Sequence, residues 1–120
     1  WALYDREPMA KWGKGRVTLF GDACHPTLPF MAQGAAMAIE DAAVLAGCLS
    51  GGSEISVALV RYEDLRRDRT ASIQRGSRRN ATVFHLSGVK AWLRNQVLKT
   101  AQNRTMDGLF NYNALGVAGD

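Results

Sequence analysis

The stretch from Gly15 to Ala43, GRVTLFGDACHPTLPFMAQGAAMAIEDAA, decides how the rest of this 120-residue chain is read. It passes from a short apolar segment through an acidic turn and a proline-bearing loop into an alanine-rich segment. Val17, Thr18, Leu19 and Phe20 are β-branched or large and apolar, with no breaker among them, which predicts a buried strand bounded by Gly15 and Gly21. Gly21 permits a backbone turn or a close approach that a Cβ would block. Asp22 then stands at the carboxyl end of the strand, where open α/β sheets hold ligands, and a carboxylate there suits a ribose or ribityl hydroxyl. Pro26 and Pro29 fix φ and remove two backbone donors, so residues 26–33 read as a stiff wall and neither strand nor helix. Gly34 opens a helix through about Leu49. Ala35, Ala36, Ala38, Ala42, Ala43 and Ala46 leave it little side chain on any face, so it can pack closely against other backbone. Its first turn presents N–H groups behind a glycine, which favours a negative or electron-rich ligand group at that end.

GRVTLFGDACHP followed by QGAAMAIEDA resembles the second flavin-binding motif of the class A FAD-dependent aromatic monooxygenases, the family of the salicylate and p-hydroxybenzoate hydroxylases. The likeness runs through one ordered motif of nearly thirty residues and extends more weakly over most of the chain. It implies that Asp22 binds the ribityl chain of FAD, with Gly21 beside it. It further implies that Gln33, Gly34, Ala35 and Ala36 bring the start of the helix to the pyrimidine end of the flavin. The proline loop then lines the substrate pocket, with Pro29 and Phe30 against the substrate and Pro29 as the one catalytic position, through its carbonyl or its apolar wall. One departure is Ala32, where many relatives carry glycine; the alanine form is closer to the salicylate and hydroxynicotinate hydroxylase branch.

The fold class implied is α/β: the C-terminal part of a Rossmann-like FAD-binding domain, mostly helical within this chain, with one or two strands near its start. Residues 1–14 would be a return segment from the substrate domain, 15–50 the FAD-binding strand, loop and helix, and 51–120 a C-terminal helical part and tail. A glycine fingerprint of the GxGxxG type does not occur in these residues, and the family's chains run to about three times this length. The chain therefore reads as a fragment, too short on its own to hold the adenine and pyrophosphate half of an FAD site.

Composition narrows the alternatives. With 47% hydrophobic and 22% charged residues the chain has a globular balance, and no run is long enough to span a bilayer. Cys24 and Cys48 lie far apart with no CxxC or paired-histidine spacing, and read as buried free thiols in a reducing cytosol rather than a disulfide or metal site. The net charge of +4 is concentrated at Arg66, Arg67, Arg69, Arg75, Arg78 and Arg79. Glu63, Asp64 and Asp68 are interleaved with them and no aromatic platform accompanies them, so nucleic-acid binding is set aside.

In order along the chain, Arg6 is expected to pair with Asp5 or Glu7 at the surface. Gly51 is expected to close the alanine-rich helix and Ser53 to cap the next one. Val57, Leu59, Val60, Tyr62, Leu65, Ile73, Val83 and Phe84 fall at loose helical intervals, which predicts a long helix from Glu54 to about Phe84, weakened at Gly76. A break over 85–88 precedes a helix from Val89 to about Thr105, with Trp92, Leu93, Val97 and Leu98 as its apolar face. Residues 106–120 read as an irregular tail frayed at its glycines. Within it Leu109-Phe110-Asn111-Tyr112 resembles the family's aromatic ending, which covers the helices.

His25 beside the proposed flavin is a candidate general base, set against a loop histidine bonded to backbone, and the latter is preferred. Glu40 and Asp41 are read as structural, pairing with Arg61, Arg66 or an arginine outside the chain. No metal is expected. The function implied by the resemblance is hydroxylation of a small, salicylate-like aromatic substrate by a cytoplasmic enzyme. NADH or NADPH would reduce FAD, and O2 would supply one oxygen atom. A flavin-dependent epoxidase or halogenase of the same fold, or a non-catalytic helical interaction module, are the alternatives.

Overall fold

The computed structural model describes residues 4–101 and 111–119. A two-residue antiparallel hairpin, β1 (Gly13–Lys14) and β2 (Val17–Thr18), pairs Gly13 with Thr18 and Lys14 with Val17. Two 3-10 turns follow, Gly21–Ala23 and Pro29–Met31. The helices are α1 (Gly34–Ser50), α2 (Ile55–Phe84), α3 (Gly88–Ala101) and α4 (Ala114–Gly119). The one or two strands expected near the start are present, and most of the described chain is helical.

Helix α1 starts at Gly34, as its sequence predicts, and buries Met37, Asp41, Val44 and Cys48. These four recur at intervals of four, three and four, so they form one stripe along a 3.6-residue period. The stripe lies against α2 and α4. Trp12, Cys24, Val44, Cys48, Ala58 and Tyr62 form the apolar core, with Met9, Leu19, Leu45, Leu65 and Ala114 packed around it. Trp12 meets Tyr62 edge-on at 5.6 Å between ring centres.

Four expectations are corrected by the structure. The strand is shorter and less buried than residues 17–20 predict: Val17 is 70% exposed and Phe20 41%. The hairpin partner covers only one edge, and no described residue covers the outward face of Val17, so an apolar run alone did not dictate burial. The cap of α2 is Glu54 and not Ser53; its carboxylate accepts the Ser56 N–H at 2.7 Å. Gly76 does not weaken α2, which is continuous through it. A Cβ there would sit 2.9 Å from Met31 Sδ, so the glycine admits the second 3-10 turn against the helix. The tail is not irregular throughout: Ala114–Gly119 is helical and packs on α1.

On α3, Trp92, Leu93 and Val97 of the expected apolar face are exposed, and the side chain of Leu98 lies outside what is described. The expected end of that helix at Thr105, and Leu109 and Phe110 of the aromatic ending, lie outside the described residues.

Candidate functional site

The residues singled out in the sequence converge around Gly21. Its φ of +56° lies in the left-handed region, where glycine alone is unstrained, and the residue is buried. Both ends of Gly21 are held. Its carbonyl accepts the N–H groups of Cys24 and His25, each at 3.0 Å, and the Cys24 thiol at 3.2 Å. Its N–H donates to Asp41 Oδ2 at 3.2 Å. Asp22, next in the turn, is exposed, on a 3-10 turn and not at the last position of a strand.

Asp41 is the hub of a buried network. His25 Nε2 lies 2.6 Å from Asp41 Oδ2, and Arg66 Nε donates to Asp41 Oδ1 at 2.7 Å; all three side chains are fully buried. Arg66 also reaches Glu40 at 2.7 Å and the Met37 carbonyl at 3.4 Å, and Glu40 in turn pairs with Arg69 at 3.1 Å. The Tyr112 ring covers both guanidiniums, 5.1 Å from that of Arg66 and 4.7 Å from that of Arg69. Burial alone would raise the Asp41 pKa, but hydrogen bonds and charge from His25 and Arg66 outweigh it and hold the carboxyl below its ordinary value. Burial likewise works against the Arg66 charge and is outweighed by the Asp41 and Glu40 carboxylates, so its pKa is raised.

Glu40 and Asp41 thus pair with Arg66, one of the arginines named from the sequence, and not with Arg61. His25 differs from the expectation. Its side chain bonds a carboxylate and not backbone, while Nδ1 has no partner. The α1 stripe was the signal that could have found this, because it puts Asp41 on the buried face, where a carboxylate needs donors. Arg6 is a further correction: it donates to the Ala23 carbonyl, while Asp5 and Glu7 pair with Arg78 on α2.

The proline loop is fastened along α2. Gln74 Nε2 donates to the Pro26 carbonyl at 2.9 Å, Ser77 Oγ to the Leu28 carbonyl, and Asn80 Nδ2 to the Phe30 carbonyl at 3.4 Å. Donors three residues apart on one helix face meet carbonyls two residues apart in the loop and the 3-10 turn that follows it. That match of periods explains why α2 buries Gln74 and Ser77, which a hydrophobic pattern does not reveal. Pro29 is exposed at the first position of its 3-10 turn. Phe30 packs near Phe84 and His85, with ring centres 6.2 and 5.8 Å away. Ala32 adopts φ +52°, a left-handed conformation that costs a residue with a Cβ about 1–2 kcal/mol.

The loop returns the chain to Gln33, which is buried, and to the start of α1 beside the acidic turn. A Cβ built on Gly34 would lie 4.0 Å from Asp22 Oδ1 and 3.5 Å from Thr27 Cγ2. No side chain caps the first turn of α1. Thr27 Oγ1 is buried and has no partner. Asp22, Thr27, Gly34, Ala35 and Ala36 therefore share one region, with an acceptor, a hydroxyl and uncapped helix N–H groups together. Gln33 and Gly21 border it. A groove of about 310 Å³ between the hairpin and α2, lined in part by Gly13, Val17, Val60, Glu63 and Arg67, contains none of these residues.

Cys24, His25 and Asp41 bring possible ligand atoms within 4.8 Å of one another. The Arg66 guanidinium already neutralises Asp41 in that space, and a cation there would face its charge, so the arrangement suits an ion-pair network. Both cysteines are buried free thiols. Burial, and then the Asp41 carboxylate, pushes the Cys24 thiol up to about 12. At pH 8 Cys24 is therefore held as the thiol and not the thiolate, the reactive form. Titration of the folded protein with a thiol reagent at pH 8 should leave Cys24 unlabelled over minutes, and denaturant should release it at once. Prompt labelling in the native state would contradict the burial.

Among the described residues no helix is long and apolar enough to cross a membrane. Residues 4–77 match the model of the FAD binding domain family. The chain is 45% identical over 107 residues to a 3-amino-4-hydroxybenzoate 2-monooxygenase of Streptomyces cremeus, covering 88% of this chain and 27% of that protein. It is 44% identical over 100 residues to a 3-hydroxybenzoate 6-hydroxylase of Klebsiella oxytoca, covering 82% and 25%. Against a 6-hydroxynicotinate 3-monooxygenase of Pseudomonas fluorescens the identity is 50% over 82 residues, covering 67% and 21%. The chain thus spans about a quarter of the length of these relatives. A solved salicylate hydroxylase substrate complex superposes with a TM-score of 0.79 at 33% identity, covering 98% of this chain and 30% of that one. The flavin motif of the sequence, the convergence of its residues on one turn and helix start, and these matches agree: the chain belongs to the FAD binding domain family, as part of the FAD-dependent aromatic monooxygenases.

Proposed function

We propose that this chain supplies the flavin-ring and ribityl side of an FAD site in an enzyme that hydroxylates a small aromatic acid, using NADH or NADPH and O2. The observation that carries the reading is the meeting of Asp22, Thr27 and the uncapped start of α1 at Gly34. The donor set fits FAD. The Asp22 carboxylate accepts from ribityl hydroxyls, the Thr27 hydroxyl has spare capacity, and the N–H groups of Gly34, Ala35 and Ala36 suit the electron-rich pyrimidine edge. Gly21 and Gln33 shape the two sides. When bound, the flavin supplies the redox chemistry that lets O2 deliver one oxygen atom to an aromatic ring.

The protein's share is position and electrostatics. The start of α1 favours negative charge on the ring system it faces. Pro29 and Phe30 form the wall on the substrate side, and the Gln74, Ser77 and Asn80 hydrogen bonds keep that wall from shifting. The surrounding scaffold is read as a Rossmann-like α/β domain extending beyond these residues, located in the cytoplasm. The relatives named above are monooxygenases and hydroxylases of aromatic acids, which supports hydroxylation over epoxidation or halogenation.

Two measurements test this. The full-length flavoprotein is assayed against salicylate, hydroxybenzoates, aminohydroxybenzoates and hydroxynicotinates. The expected result is that one class stimulates NADH or NADPH oxidation and is recovered as a hydroxylated product, whereas no stimulation by any aromatic acid argues against the reading. In the same protein Asp22→Ala removes a charge-assisted contact worth about 1.5–3 kcal/mol, so FAD binding should weaken roughly 10-fold to 150-fold. Apoprotein stability should hardly change, because Asp22 is exposed. A destabilised apoprotein with unaltered FAD affinity would instead make Asp22 a turn residue only.

A further inference from the structure

Asp22 is held by nothing in its own side chain, so its aim depends on the Gly21 peptide before it. The N–H of Gly21 is fixed from outside the turn by Asp41, seven positions into α1 from Gly34, while Arg6 holds the Ala23 carbonyl further along. Oδ2 of Asp41 receives the Gly21 N–H at 3.2 Å and His25 Nε2 at 2.6 Å, so both ends of the segment 21–25 hang from a single carboxylate oxygen. Oδ1 is occupied by Arg66 Nε at 2.7 Å, which prevents the carboxylate from rotating away. The same helix that begins at Gly34 therefore also sets where Asp22 stands.

We propose that Asp41 is the positioning residue of the cofactor turn: with His25 and Arg66 it ties the start of the turn at Gly21 to α1, so that the acidic turn and the helix start present one preformed surface to the flavin. This rests on the reading of Asp22 as the ribityl contact. Asp41 touches no cofactor in this account and acts only through Gly21 and His25. Preorganisation of this kind acts on affinity, because a turn free to move must be ordered when the ligand arrives. A residue that merely stabilised the core would change the folded fraction and leave the turn itself unaltered.

The test compares Asp41→Asn with Val44→Ala in the full-length protein. Val44 is buried on the same stripe of α1 and does not contact the turn in any hydrogen bond. Three quantities are read on each: apoprotein stability, FAD affinity on reconstitution, and amide hydrogen exchange of the peptide covering 19–25 in the apoprotein. Asp41→Asn should weaken FAD binding by about 10-fold, the order expected for losing one charge-assisted hydrogen bond, and should speed exchange in that peptide. Val44→Ala should lose apoprotein stability while FAD affinity moves less than about 3-fold. Should Asp41→Asn not fold, His25→Gln takes its place and is expected to shift affinity and exchange in the same direction.

Equal effects of the Asp41 and Val44 variants on FAD affinity, in proportion to lost stability, would overturn the proposal. So would native-like exchange at 19–25 in Asp41→Asn, or unchanged affinity in His25→Gln when that variant is the one used. Asp22→Ala separates the two levels. If it weakens FAD and Asp41→Asn does not, the positioning role alone falls; if Asp22→Ala itself leaves affinity unchanged, the reading beneath it falls as well.

Discussion

Arg66→Met should destabilise the protein by about 3–5 kcal/mol, more than any other single arginine substitution on α2. Arg66 is fully buried and bonds Asp41, Glu40 and the Met37 carbonyl, so its removal takes a charged partner from two carboxylates. Asp41 would keep His25 and the Gly21 N–H but lose the donor on its other oxygen. Glu40 would keep Arg69. Methionine fills much of the space, so the loss measured is chiefly that of the guanidinium charge beside buried Asp41 and not of packing. Arg67 provides the contrast. It is partly exposed and pairs with Glu63 at 3.2 Å and Asp64 at 2.6 Å along its own helix. Pairs of that kind contribute about 0.3–0.5 kcal/mol, so Arg67→Met should be nearly silent. Denaturant midpoints of the two apoprotein variants check this; near-equal effects would mean that Arg66 is no more central than its neighbours.

How far the sequence revealed these features varies from element to element. Helix α1 was legible because alanine is the strongest helix former and Gly34 marks its start. The loop before it was legible because two prolines exclude regular structure. The motif residues Asp22, Gly34 and Pro29 could be named because the flavin-binding pattern keeps them in order.

What stayed hidden lies where one segment satisfies another far away. Gln74, Ser77 and Asn80 look like a solvated face of α2, and nothing local says that the carbonyls of Pro26, Leu28 and Phe30 lie opposite them. Arg66 could be named as a partner of Glu40 and Asp41 only alongside Arg61, and nothing in the local sequence decides between the two. The apolar run 17–20 misled for the opposite reason. Its residues favour a strand, but burial depends on what covers the strand, which local sequence does not specify. The short helix α4 was missed because Ala114–Gly119 contains two glycines, and its packing against α1 overrides weak propensity.

The central claim is that FAD lies against the start of α1 beside Asp22, and FAD titration of the Gly34→Val variant tests it most directly. Within the chain there is room for a Cβ at this position. Gly34 does not have positive φ, and a Cβ would meet Thr27 at 3.5 Å and Asp22 at 4.0 Å, which are ordinary contact distances. Valine is also the better helix residue by a few tenths of a kcal/mol, so the apoprotein should melt no lower than the parent. A flavin approaching the N–H groups of residues 34–36 would instead meet two added methyl groups. Loss of about two hydrogen bonds and the close approach should weaken FAD binding about 100-fold or more, equivalent to about 2.7 kcal/mol. Titration of full-length apoprotein with FAD, read by quenching of flavin fluorescence, should therefore show a binding defect in a fully folded protein. Parental FAD affinity in Gly34→Val would place the cofactor elsewhere and contradict the account.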